Sequence, residues 1–87
     1  MAKRKFARAK DRRTAFDRIR TIVLQNLNLI LSTAEKRVGQ RVGDMFLKAA
    51  VATALGLIPS AITQGISAAV LTDFVARVIR SSARRMI

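Results

Sequence analysis

The chain has 87 residues, a formal net charge of +12 and a pI near 12.0, and it contains neither cysteine nor histidine. This length suits one small domain, and the absence of cysteine excludes disulfides and thiolate metal sites. Without histidine, the commonest metal ligand and the usual general base near neutral pH are also missing. Because the carboxylates are not clustered either, the sequence predicts a protein that is not an enzyme and needs no metal or cofactor.

The positive charge comes mainly from arginine. Seventeen residues are basic and five are acidic, and twelve of the basic residues are arginine. The planar guanidinium binds phosphate through two parallel hydrogen bonds, so the sequence predicts polyanionic partners, either anionic lipid or nucleic acid. The hydrophobic fraction of 51% exceeds that of a disordered basic tail. We therefore expect an all-α protein that buries part of its chain in a homo-oligomer or a larger assembly.

Residues 1–13 form a basic arm, and nine of the seventeen basic residues fall within the first twenty positions. Such an arm is either a solvated tail or a segment ordered by lipid, nucleic acid or neighbouring subunits. It leads into no compact apolar stretch with a cleavage site, so no secretory signal is predicted. The candidate phosphate-binding residues of the whole chain are Lys3, Arg4, Lys5, Arg8, Lys10, Arg12, Arg13, Arg18, Arg20, Arg37, Arg41, Arg80, Arg84 and Arg85.

Residues 14–87 are interpreted as one small helical domain or assembly subunit, beginning with an amphipathic helix over about residues 15–36. Apolar residues recur there at spacings of three and four, which is typical of a helix with one buried face. Thr14 followed by Asp17 resembles a capping box at its start. A second pair of this type, in the word STAE at 32–35, marks either a break or a continuation of the helix.

The segment KRVGQRVGD repeats RVG after four residues. In a helix this repeat would stack Gly39 over Gly43 and open a groove for close helix contact. The alternative is a flexible glycine hinge, because each interior glycine costs a helix up to about 1 kcal/mol.

Residues 49–72 form an uncharged stretch of twenty-four residues. It is long enough to cross a bilayer, which takes about 20 mainly apolar residues. Pro59 interrupts it, because proline breaks a helix and pushes the preceding residue, Ile58, out of helical geometry. Each half is then about 18 Å long at 1.5 Å per residue, too short for a hydrocarbon core of about 30 Å. The stretch favours a hairpin held in a membrane or among sister subunits.

The predicted hairpin has helices over about residues 41–57 and 60–83 and turns at Gly56–Ser60. Gly56 is placed to cap the first helix, and Pro59 follows shortly after it. Small residues recur every four positions and give smooth faces for close helix packing. The helix-packing candidates are Gly39, Gly43, Ala50, Ala54, Ala61, Gly65 and Ala69.

Three functional hypotheses follow from these features. The first is a small basic helical structural or interaction protein. It would be membrane-associated or packed in an ordered assembly such as a virus-like particle, with arginine-rich arms that neutralise phosphates of lipid or nucleic acid. The second is a soluble oligomeric nucleic-acid-binding protein without sequence specificity, because no zinc-finger, homeodomain or RNA-binding sheet motif is present. The third is a cationic membrane-permeabilising protein, which the lack of tryptophan disfavours.

Overall fold

The computed structural model describes the backbone of residues 2–86 and the side chains of residues 13–82. The backbone in that range forms helices and connections, without a strand, so the predicted all-α class is confirmed. The helices are α1 (Ala2–Gln25), α2 (Leu27–Val38), α3 (Asp44–Leu57), α4 (Ser60–Thr63) and α5 (Ala68–Met86).

The first helix begins at Ala2, well before the predicted start near residue 15. Residues 1–38 contain neither glycine nor proline, and the arm consists mostly of alanine, lysine and arginine, which are strong helix formers. The backbone of the predicted arm is therefore helical from residue 2 onward. Thr14 and Asp17 lie inside α1, so the predicted capping box at this position is wrong.

The predicted helix of about residues 15–36 is divided at Asn26, which has φ −108° and ψ 15°. The Asn26 side chain donates from Nδ2 to the carbonyl oxygen of Ile22 at 2.8 Å, and its backbone N–H donates to the same oxygen at 3.1 Å. The carbonyl oxygen of Ile22 thus accepts two hydrogen bonds from Asn26 at the point where the helix is divided. Ser32 and Glu35, where a break was one of two alternatives, both lie inside α2.

The two glycines of the RVG repeat lie in the connection between α2 and α3. Gly39 has φ +84° and ends α2, and its N–H donates to the carbonyl oxygen of Glu35 at 2.6 Å. Gly43 has φ +96° and directly precedes α3. Positive φ values suit glycine because it has no Cβ. They end one helix before the next begins, so the first of the two alternatives, a helical groove over Gly39 and Gly43, is wrong.

Pro59 ends the third helix, as the sequence predicts. Ile58, the residue before it, is extended with φ −89° and ψ 121°, which relieves its clash with the proline ring. Gly56 was expected to cap the helix, but it lies inside α3 without a positive φ. The turn therefore begins at Ile58, two residues later than predicted.

The second helix of the predicted hairpin is divided between α4 and α5. Gly65 follows α4 with φ +87°, and the hydroxyl of Ser67 then accepts a hydrogen bond from the Val70 N–H at 3.3 Å. A serine in this position satisfies one of the unpaired N–H groups at a helix start. Ala61 and Ala69 consequently belong to different helices, so the predicted smooth face of one helix that includes Ala61, Gly65 and Ala69 is wrong.

The core lies where α3 packs between α2 and α5, while α1 contacts α5 and the short α4. Ala50 and Ala54 of α3 are completely buried, and their small side chains allow the neighbouring helices to approach. The buried apolar residues of the described range are Ile19, Val23, Ile30, Leu31, Ala34, Phe46, Ala50, Val51, Ala54, Ile58, Val75 and Ile79.

Candidate polyanion-binding surface

Every basic side chain that the structure describes lies on the surface. Residues 13–82 contain nine basic and four acidic side chains, so this part of the surface alone carries an excess of positive charge. The exposed basic residues are Arg13, Arg18, Arg20, Lys36, Arg37, Arg41, Lys48, Arg77 and Arg80.

Two ion pairs neutralise part of this charge. Arg41 pairs with Glu35 across the end of α2, and Arg77 pairs with Asp73 one helical turn before it, with 3.1 Å between Nη2 and Oδ2. Exposed pairs of this kind contribute only about 0–1 kcal/mol. A phosphate can therefore compete with the carboxylates for both arginines.

Two arginines from different helices line the same cleft. Arg20 of α1 and Arg77 of α5 border a cavity of about 200 Å³ between these helices, which we call the α1–α5 cleft. Its remaining lining residues are Leu24, Phe74, Val78, Ser81 and Ser82.

The helical repeat explains why these side chains meet. Arg20 directly follows the buried Ile19 on α1, so it lies at the edge of the buried face rather than opposite it. Arg13 lies seven residues earlier, which is two turns along the same edge. On α5, Phe74 reaches towards α1, and Arg77 lies one turn after it. The cleft is therefore lined by one arginine from each of the two helices.

The polar groups of the cleft are mainly hydrogen-bond donors. Ser82 donates from Oγ to the carbonyl oxygen of Val78 at 2.8 Å and is thus occupied within its own helix. Ser81 is exposed and makes no hydrogen bond to the described part of the chain. Guanidinium donors that are always charged, next to a rotatable hydroxyl, suit the oxygens of a phosphate group. Asp73 contacts Arg77 from outside the lining of the cleft.

The structure brings together only part of the predicted phosphate-binding set. Arg20 lines the α1–α5 cleft, and Arg80 lines a separate groove between α3 and α5. Arg18 and Arg37 are exposed away from both. The predicted residues whose side chains lie outside the described range are Lys3, Arg4, Lys5, Arg8, Lys10, Arg12, Arg84 and Arg85.

Arg77 is absent from the predicted set. Arg77 follows Asp73 by four residues, and this spacing indicates an ion pair on a helix surface. That pair is present in the structure. Ser81 follows Arg77 by four residues, as Arg77 follows Asp73, and this spacing places a second hydrogen-bond donor beside Arg77 on α5. That spacing is the sequence feature that could have added Arg77 to the predicted set. Lys36 and Lys48 are also exposed cations outside the predicted set.

Large apolar side chains on the surface are spread over several elements. Val42 and Met45 are the most exposed, at 68% and 71%, and they lie close together in sequence at the start of α3. Over residues 2–86, no helix combines the length and the apolar character that crossing a membrane requires. The other exposed large apolar residues are Leu24, Leu29, Leu57 and Val70.

The convergence of Arg20 and Arg77 is the most specific chemical feature of the described surface. Fold alone does not determine function, which depends on the geometry and charge of a site. Comparison with protein-family models, with curated proteins and with solved structures finds no match for this chain.

Proposed function

We propose that this protein is a small helical interaction protein that binds the phosphate backbone of nucleic acid without reading its base sequence. The observation that carries the proposal is the cleft that Arg20 and Arg77 line from two different helices. Guanidinium groups on separate helices can bind a phosphate from two sides, and such charge-assisted hydrogen bonds are about twice as strong as neutral ones.

The charge of the whole chain supports the same partner. Each phosphate that is neutralised by lysine or arginine releases counterions, which drives binding at low salt. The net charge of +12 provides many such contacts. Contacts to phosphates position a protein on nucleic acid but carry no sequence information, which agrees with the absence of base-reading motifs in the sequence.

The aromatic residues favour a duplex over a single strand. Proteins that bind single strands stack bases on exposed aromatic side chains. The chain has no tryptophan or tyrosine, and the three phenylalanines whose side chains the structure describes, Phe16, Phe46 and Phe74, lie in the core or pack against it. A duplex presents its phosphates without requiring base stacking, so we propose double-stranded nucleic acid as the ligand.

Oligomerisation is part of this proposal. Chains that each carry a charge of +12 repel one another in solution. Nucleic acid between them removes this repulsion, so the ordered assembly proposed from the sequence would form on the polyanion. An oligomer that forms only after nucleic acid is added is the expected result in analytical ultracentrifugation.

A peripheral membrane protein is the second candidate, and the start of α3 favours it. Val42 and Met45 are highly exposed, and the basic residues Arg41 and Lys48 flank them. Apolar side chains beside cations suit the boundary of an anionic membrane. Two side chains offer little apolar area, which places this candidate behind nucleic-acid binding.

Fluorescence anisotropy with a labelled DNA duplex of random sequence tests the first candidate. The variant R20A/R77A removes two charges from the α1–α5 cleft, and R18A/R37A removes two exposed charges elsewhere. Each lost phosphate contact lowers the slope of log affinity against log salt by about one. We therefore expect a slope about two smaller for R20A/R77A and little changed for R18A/R37A.

Two results would contradict the proposal: no duplex binding at about 50 mM salt, or equal losses in both double variants. Vesicles that contain phosphatidylglycerol test the second candidate in parallel. If the protein binds these vesicles but not the duplex, and V42S/M45S abolishes that binding, the membrane candidate replaces the first.

A further inference from the structure

A second groove runs between α3 and α5, along a different face of α5 from the α1–α5 cleft. It has a volume of about 380 Å³ and is open to solvent, and we call it the α3–α5 groove. Leu47, Val51 and Leu55 line it from α3, with Ala76 opposite them on α5. Most of the lining is therefore apolar, although no other part of the described chain covers it.

Two cations stand at the rim of this groove. Lys48 of α3 and Arg80 of α5 line it and are exposed, and neither forms an ion pair with a described carboxylate. Asp44 is the acidic residue among the lining side chains. The rim therefore carries a net positive charge above an apolar floor.

We propose that the α3–α5 groove docks an acidic amphipathic helix of another protein. The apolar side chains of α3 recur at spacings of four, so the floor extends over two helical turns, about 12 Å. An amphipathic helix offers apolar anchors at the same spacing and binds such grooves with its apolar face. Acidic residues beside those anchors match Lys48 and Arg80, and such complementarity determines which partner is accepted.

Charge and shape separate this occupant from the alternatives. A second copy of the chain would bring a further charge of +12 to a rim that is already cationic. Small-molecule sites bury 70–90% of their ligand, roughly, whereas this groove is open to solvent. An acidic amphipathic helix suits the cationic rim because its carboxylates neutralise Lys48 and Arg80. It also suits an open groove because its polar face can remain in solvent.

The test uses the full chain and a fluorescein-labelled synthetic peptide. The peptide carries leucines at helical spacing and glutamates beside them, and a scrambled peptide of the same composition is the control. Ala52→Trp fills the groove from α3 without changing the charge, because Ala52 is an exposed lining residue. Ala61→Trp, on the exposed part of α4, is the matched control. We expect Ala52→Trp to weaken peptide binding about tenfold or more and Ala61→Trp to leave it unchanged.

Charge reversal provides the second comparison. K48E/R80E reverses both rim cations, whereas K36E/R37E makes the same change in charge on α2, outside the groove. We expect a loss of binding of about a hundredfold for the first and of only a few-fold for the second, because exposed charges beyond a Debye length are screened. Circular dichroism establishes that every variant folds.

Three results would overturn this proposal. The first is equal binding of the patterned and scrambled peptides, and the second is equal loss in the two charge-reversed variants. Either would reduce the interaction to general attraction between opposite charges. The third is a self-association of the unliganded protein that Ala52→Trp abolishes, which would assign the groove to a second copy. Binding of the DNA duplex by Ala52→Trp is measured separately. Because Ala52 lies outside the α1–α5 cleft, we expect duplex binding to be unchanged, so failure of the groove proposal can be distinguished from failure of the nucleic-acid proposal.

Discussion

The ring of Phe16 in α1 meets that of Phe74 in α5 edge to face, with the ring centroids 4.9 Å apart and the ring planes inclined by 60°. Both rings pack against the buried core, and Phe74 also lines the α1–α5 cleft. The pair therefore connects the helix that carries Arg20 to the helix that carries Arg77. We expect loss of this contact to lower stability and to change the separation of the two arginines.

A double-mutant cycle measures the contribution of the aromatic pair. Phe16→Leu and Phe74→Leu keep most of the apolar area but remove the edge-to-face interaction. We expect an interaction free energy of about 1 kcal/mol, within the range of such pairs. Chemical unfolding followed by circular dichroism supplies the free energies. Phe16→Leu combined with Phe46→Leu is the control, and strict additivity in the first cycle would show that the rings do not interact.

Alanine should have opposite effects at two glycines. At Gly39, φ is +84°, and an added Cβ meets no atom within 4 Å but must adopt a left-handed conformation. We expect Gly39→Ala to lower the free energy of unfolding by about 1 kcal/mol. Gly56 is helical and equally uncrowded, so Gly56→Ala should raise it by about 0.5–1 kcal/mol. Thermal or chemical unfolding measures the stability of both variants. A stabilising effect of Gly39→Ala would contradict the left-handed conformation at the end of α2.

Replacing a small buried side chain of α3 by a larger one should destabilise the protein. Ala54 is completely buried, so Ala54→Leu inserts extra methylenes into a packed core and should lower the free energy of unfolding by about 1–3 kcal/mol. Ala52 lies two residues earlier on the exposed side of the same helix, and Ala52→Leu should change it by no more than about 0.5 kcal/mol. Similar values for the two variants would mean that α3 does not present this face to the core.

Removing the partner of Arg77 should strengthen nucleic-acid binding. Asp73→Asn breaks the exposed ion pair and makes the guanidinium available to a phosphate. We expect a gain in duplex affinity of about two- to fivefold, equivalent to an exposed ion pair of about 0.4–1 kcal/mol. Asp44→Asn makes the same change in charge on α3, outside the cleft lining, and should have a smaller effect. Equal gains in both variants would assign the effect to net charge rather than to the cleft.

Local chemistry made some features of the fold predictable. Pro59 and its effect on Ile58 follow from steric clashes between neighbouring residues, and these occur in any context. The break at Asn26 was not predicted, because asparagine is also tolerated inside helices and no neighbouring glycine or proline marks the position. Gly65 was similarly ambiguous, since glycine both lies within helices and ends them.

The candidate site also has a part that the sequence predicts and a part that depends on tertiary packing. The basic, phosphate-seeking character of the chain follows from composition, so Arg20 was among the predicted residues. Its convergence with Arg77 depends on how α1 packs against α5, and no spacing along the chain encodes that packing. The spacing of four from Asp73 also accounts for Arg77 as a partner in an ion pair on one helix, so the sequence did not indicate a second role for it. Tertiary contact, rather than sequence pattern, defines the cleft.

Helix α5 lines both binding regions, with Arg77 beside the cleft and Arg80, one turn later, beside the groove. A phosphate backbone and an acidic helix bound on either side of α5 would carry like charges at close range, and like charges repel. Such antagonism is reciprocal, since each ligand must weaken the other by the same factor. Occupancy of the groove would then act as a release signal for nucleic acid, with α5 as the shared element through which the two partners compete.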